Sequence, residues 1–232
     1  MSGLLSLEHL VTVGVIAACV AALVVAARLH VGTWTVTACR ALAVLIVVNE
    51  WGWWVWLGLQ HTWSAGYALP LQLCDVVAFV AAAALWSRRQ LLVEVTYFWG
   101  LAGTANGLIS PDVPVHFPHY LFLQYFIAHG TIVAAALLLV VGLRITPGKG
   151  AVLRVFALAL ALMVIDAGAN LVTGGNYMYL RHPPGVPTLL DLMGPWPWYI
   201  VASMILAGAI FAALNLPFYL GRRRQGQTTE AV

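Results

Sequence analysis

One thiol, one imidazole and a few carboxyl groups sit inside stretches that are otherwise Leu, Val and Ala. Cys74 stands in Leu69-Pro70-Leu71-Gln72-Leu73-Cys74-Asp75, and His129 in Tyr125-Phe126-Ile127-Ala128-His129-Gly130. A thiol beside a base is a nucleophile. The base takes the S–H proton, sulfur attacks an ester or thioester carbonyl, and the acyl-thioester passes its chain to an acceptor. A third group would orient the imidazole; Asp166 and Glu50 are both open for that role. Gln72, Asn106 or Asn176 would donate to an oxyanion. The plainer reading stands beside this one: a Cys in an apolar helix is commonly a packing residue, and a core His is commonly just hydrogen-bonded.

Other chemistries are poorly served. His116 and His119 are close, with His61, His182 and Asp112 on the same side, but Pro118 breaks any helical ligand pair. There is no His-Glu-x-x-His, Cys-x-x-Cys, phosphate-cradling loop or dinucleotide fingerprint. No metal or cofactor is expected. Cys19 and Cys39 lack polar company, and three cysteines cannot make a disulfide framework.

The elements that must hold these groups are membrane helices. Of 232 residues 62% are hydrophobic and 8% charged, with a mean hydropathy of +0.91. Soluble domains carry about 25% charge, so a soluble enzyme and a disordered chain are both excluded. A span needs about 20 apolar residues. Seven segments qualify: Leu7–Leu29, Thr35–Leu59, Leu69–Trp86, Leu91–Ile109, Tyr120–Leu143, Ala151–Val172 and Trp198–Leu220. Pro70 suits the first turn of the third. The N-terminus has no basic stretch before its apolar run, so it reads as a retained helix. The expectation is an all-α bundle of seven transmembrane helices over residues 1–221, with a basic tail at 222–232.

Ten of the eleven Lys and Arg residues fall in the odd-numbered connections, at adjoining helix ends, or in the tail, leaving Arg181 on the other side. Basic residues favour the cytoplasmic side. The N-terminus is therefore expected outside and the tail, with Arg222, Arg223 and Arg224, inside a cell membrane. The net charge of +3 is no sign of nucleic-acid binding, and no soluble partner is indicated. Polar groups in spans are costly and face inward. Glu50, Gln72, Cys74, Asn106, His129, Asp166 and Asn170 all fall in the outer half by counting about 1.5 Å per residue. They predict a polar cavity opening to the outer leaflet, with membrane lipids as partners. Asp112, Asn176, Tyr177, Arg181 and Asp191, in the Pro-rich outer loops, are the expected headgroup contacts.

These stretches, with Gly107-Leu108-Ile109-Ser110-Pro111-Asp112, Gly175-Asn176-Tyr177-Met178-Tyr179-Leu180 and Gly194-Pro195-Trp196-Pro197-Trp198-Tyr199, resemble the YwaF-like family of bacterial integral membrane proteins. The resemblance runs from about Leu42 to Tyr199. That family is distantly similar to a eukaryotic membrane acyltransferase that loads fatty acyl chains onto lyso-ether phospholipids. It groups more loosely with membrane hydrolases of lipid esters that use Thr and His. The resemblance implies a Cys nucleophile at the start of a membrane helix and a His on a later one, matched by Cys74 and His129. The expected function is lipid acyl transfer, or hydrolysis if water is the acceptor. The alternative is a small transporter or lipid-binding protein in which Glu50, Asp166 and His129 bind a ligand or proton. A third reading makes the polar cluster a structural glue.

Overall fold

The computed structural model describes residues 6–185 and 188–229, with side chains to Arg223. The fold is all-α, with no strand among the described residues. The helices are α1 (Leu7–Leu29), α2 (Thr33–Leu59), α3 (Leu73–Ser87), α4 (Gln90–Trp99), α5 (Ala105–Ile109), α6 (Tyr120–Leu137), α7 (Ala151–Thr173) and α8 (Trp198–Thr229). A π-helical turn, Gly100–Thr104, joins α4 to α5 into one rod, and a second, Leu138–Gly142, extends α6. Seven rods result. Five are long and apolar enough to cross a membrane: α1, α2, α6 with its π turn, α7 and α8.

The third segment begins later than its apolar pattern predicts. Gln72 is extended (ψ 146°) and α3 starts at Leu73, so Pro70 lies outside the helix rather than in its first turn. The cause is local. The Gln72 side-chain oxygen accepts the Met178 N–H at 3.0 Å, tying this corner to the last long loop.

Small side chains decide the packing. Ala78, Ala81, Ala82 and Ala84 of α3 are buried against α2 and α4. α4 is enclosed from Val93 through Trp99, its polar Glu94 and Thr96 included. A Cβ on Gly100 would stand 3.2 Å from Ile132 of α6, so the rods touch backbone to side chain there. α1 meets α6 in the same way at two points, Ile16 on Gly130 and Ala27 on Gly142. Between these contacts an apolar groove of about 360 Å³ remains, lined by Val20, Val24, Val133 and Leu137 among others, with Leu108 at its edge.

The two ends of the bundle are fastened differently. At the basic end, the Arg154 guanidinium grips the fully buried Glu94 carboxylate at 2.8–3.3 Å. Gln90 and the Gly148 N–H donate to the same carboxylate at 3.0 and 2.9 Å. Arg28 reaches the Val141 carbonyl and Arg222 the Pro147 carbonyl. At the opposite end a tyrosine is the strut. Tyr177 is fully buried, donates to the Ala65 carbonyl at 2.6 Å and accepts from the Leu69 N–H at 3.0 Å.

Candidate functional site

The site lies at the end of the bundle that carries the Pro-rich loops. Cys74 is the second residue of α3 and half-buried. Leu73 packs into the notch at Gly103, where a Cβ would stand 2.6 Å from its Cδ2. That contact sets the next residue, Cys74, beside Thr104, the last residue of the first π turn. Asp75 and Glu50 lie close enough for their charges to act on the thiol. Glu50 is buried on α2 and makes no hydrogen bond among the described residues.

His129 comes from α6 and is buried. Its Nδ1 stands 2.9 Å from the Tyr125 carbonyl. A carbonyl has no proton to give, so Nδ1 carries the hydrogen and the neutral ring keeps its lone pair on Nε2. Nε2 faces Gly107, where a Cβ would come within 2.6 Å. Tyr125, one helical turn before His129, stacks on the imidazole with centroids 4.0 Å apart and planes at 24°. The Tyr125 hydroxyl donates to the Gly107 carbonyl at 3.1 Å. Cys74, Asp112 and Tyr179 all lie within electrostatic reach of that hydroxyl. Cys74 and His129 are not hydrogen-bonded to each other; His129 stacks on Tyr125, and Cys74 lies within electrostatic reach of the Tyr125 hydroxyl.

Tyr179 closes the site from the last long loop. It and Met178 adopt left-handed backbone angles, φ 54° and 52°, in a turn held by Gln72 and by the Tyr199 hydroxyl, which donates to the Tyr179 carbonyl. Burial raises the Tyr179 phenol above its ordinary pKa, so this hydroxyl stays protonated and available as a donor.

Several expected site residues have other work. His129 is oriented by the Tyr125 carbonyl, so neither Asp166 nor Glu50 fills that role. Asp166 is fully buried on α7, with both carboxylate oxygens unpartnered, and its charge is felt at Tyr177. Asn170 accepts the Tyr177 N–H at 2.7 Å and donates to its carbonyl at 3.1 Å, which makes it a loop clamp. Asn106 is exposed on α5 rather than turned into the cavity. Tyr177 is buried, so it cannot touch a headgroup. Asn176 binds the His182 carbonyl and the Arg181 N–H. Arg181 caps the Gly174 carbonyl, and Asp191 accepts from the Thr188 N–H. Asp112 is exposed at the rim, within electrostatic reach of the Tyr125 hydroxyl. Among the described residues no group of three His, Cys, Asp or Glu side chains could hold a metal ion.

Sequence reasoning passed over Tyr125, Tyr179 and Thr104. The spacing of Tyr125 and His129, four residues apart on an apolar helix, could have paired them. Nothing in Gly100-Leu101-Ala102-Gly103-Thr104 announces a π turn.

The model of one protein family matches residues 4–215, nearly the whole chain. The chain belongs to the TMEM164 family. This is a family of membrane proteins, in keeping with the apolar helices of the bundle. No curated protein and no solved structure matches the chain.

Proposed function

We propose that this protein is a membrane-embedded lipid acyl-transfer enzyme that works through an acyl-thioester on Cys74. The observation that carries the reading is a half-buried thiol within electrostatic reach of Tyr125, on which a tautomer-fixed imidazole is stacked. Nε2 of His129 is the base. It takes the Cys74 proton as sulfur attacks the ester carbonyl of a lipid. The imidazolium returns that proton to the departing lysolipid oxygen, leaving an S-acyl enzyme. In the second half, His129 takes the proton of an acceptor hydroxyl, whose oxygen attacks the thioester and releases the thiol. Hydrogen bonds between such partners are commonly long before substrate is bound, and the step requires His129 and Cys74 to close on each other.

The surroundings suit a lipid. The groove between α1 and α6 is apolar throughout its length, and its Leu108 edge adjoins Gly107 and His129. An acyl chain lying there would bring its carbonyl toward the thiol. The resemblance to the YwaF-like family and its lipid-acylating relatives supports the same chemistry. By the distribution of basic residues the site opens to the outer leaflet of the cell membrane. A phospholipid, rather than a cytosolic acyl-CoA, is then the donor.

The test is acyl exchange in liposomes. Purified protein is reconstituted with an isotopically labelled phospholipid and an unlabelled lysophospholipid, and labelled acyl chains on the acceptor are counted. Exchange by the wild type that disappears in Cys74→Ala supports the reading. Exchange that survives in Cys74→Ala overturns it.

A further inference from the structure

Hydroxyls inside membrane helices normally satisfy themselves by donating to a carbonyl one turn back. Thr12, Thr96, Thr131 and Thr173 all do so, at 2.7–2.8 Å from the carbonyls of Glu8, Leu92, Ile127 and Ala169. Thr104 does not. Its hydroxyl is fully buried and makes no hydrogen bond of ordinary geometry among the described residues.

The π turn explains this. The carbonyl one turn back from Thr104 is that of Gly100, and the Ala105 N–H occupies it in the wider ring of the π turn. Leu73 packs on Gly103, so the residues that follow each of them, Cys74 and Thr104, are brought within interaction range. An orphaned buried hydroxyl is costly, and π turns recur where helices build functional sites. The Cys74 sulfur is a weak acceptor as a thiol and a much stronger one as a thiolate.

We propose that Thr104 is a catalytic residue of this site: its hydroxyl donates to the Cys74 sulfur as the S–H proton passes to His129 and the thiolate attacks. Thr104 itself forms and breaks no covalent bond. It supplies a hydrogen bond to sulfur while the negative charge is there. The assignment rests on Cys74 acting as the nucleophile, but its test needs no lipid substrate.

The test is alkylation by N-ethylmaleimide at fixed pH, followed by intact-protein mass and peptide mapping. Cys19 faces the lipid at the middle of α1, so the melting temperature of each variant, rather than a second thiol, is the reference for folding. Thr104→Val and Thr104→Ala remove the hydroxyl at two sizes, and Thr104→Ser keeps it. A hydrogen bond to an ionised group is worth enough to change the Cys74 rate about tenfold or more. The expected result is wild-type rates in Thr104→Ser, a loss of about tenfold or more in Thr104→Val and Thr104→Ala, and no loss of melting temperature in any variant. Equal Cys74 rates in all four proteins, a Thr104→Ser as slow as Thr104→Val, or a wild-type Cys74 that never reacts would overturn the proposal. Lipid exchange that is absent while the Thr104 effect persists would count against the acyl-transfer reading alone. Exchange that is present with flat alkylation rates would count against Thr104 alone.

Discussion

Gly107→Ala is the smallest change aimed at the imidazole. Gly107 has helical neighbours on α5 and needs no unusual backbone angle, so the glycine is there for space. The added methyl would overlap the His129 ring at Cδ2, stand 2.6 Å from Nε2 and lie 3.0 Å from the Tyr125 hydroxyl. An ordinary carbon contact is about 3.5–4.0 Å, so the ring must retreat by about 1 Å. It cannot swing freely, because Nδ1 is bonded to the Tyr125 carbonyl and the ring is stacked on Tyr125. Overpacking of this kind costs about 1–3 kcal/mol, and misplacing a reacting group by about 1 Å costs roughly a hundredfold in rate. The control is Gly168→Ala in α7, where a Cβ meets nothing within 4 Å. The assay is initial-rate acyl exchange in liposomes with melting followed in parallel. Gly107→Ala is predicted to lose about a hundredfold in rate and a few degrees in melting temperature. Gly168→Ala should keep full rate and gain slight stability. A Gly107→Ala protein that exchanges as fast as the wild type would refute the placement of His129.

Three further outcomes follow from the same geometry. Arg154→Ala strands the fully buried Glu94 carboxylate; unpairing a buried charge costs about 3–5 kcal/mol, somewhat less here because Arg154 is half exposed. Thermal unfolding should show a large loss, and a melting temperature within a degree of wild type would contradict the staple. Tyr177→Phe deletes the bonds to Ala65 and Leu69 and is expected to destabilise by about 1–3 kcal/mol, read as faster proteolytic nicking of the 60–72 connection. Orientation is checked by an impermeant maleimide on intact cells, with Ser64→Cys labelled and Lys149→Cys protected; the reverse pattern would place the site on the cytoplasmic side.

The spans were legible because hydrocarbon demands long apolar runs, and α1 and the start of α7 fall where the sequence places them. The start of α3 was not, because it is set by a side-chain bond from Gln72 to a residue more than a hundred positions away. Cys74, His129, Glu50 and Asp166 could be singled out as costly groups in a membrane. Their partners could not. Asp166 and Asn170 share a face, as helical spacing requires, yet that face meets the Tyr177 strut rather than the imidazole. The orienting acceptor of His129 is a main-chain carbonyl, which every residue has, so no residue type signals it. Thr104 was illegible for the same reason as the π turn: a one-residue insertion in hydrogen-bond register leaves no mark in hydropathy. The loop residues Asn176, Arg181 and Asp191 looked like ligand-binding groups because they are polar and outward. They are largely consumed in holding the loop's own backbone.

The central claim is that Cys74 carries an acyl chain. Intact-protein mass spectrometry after incubation with phospholipid tests it most directly, with the wild type beside Cys74→Ala and His129→Ala. The expected result is a hydroxylamine-labile adduct of one acyl chain in the wild type, absent from Cys74→Ala and strongly diminished in His129→Ala. No adduct on the wild type, or an adduct that persists in Cys74→Ala, would contradict it.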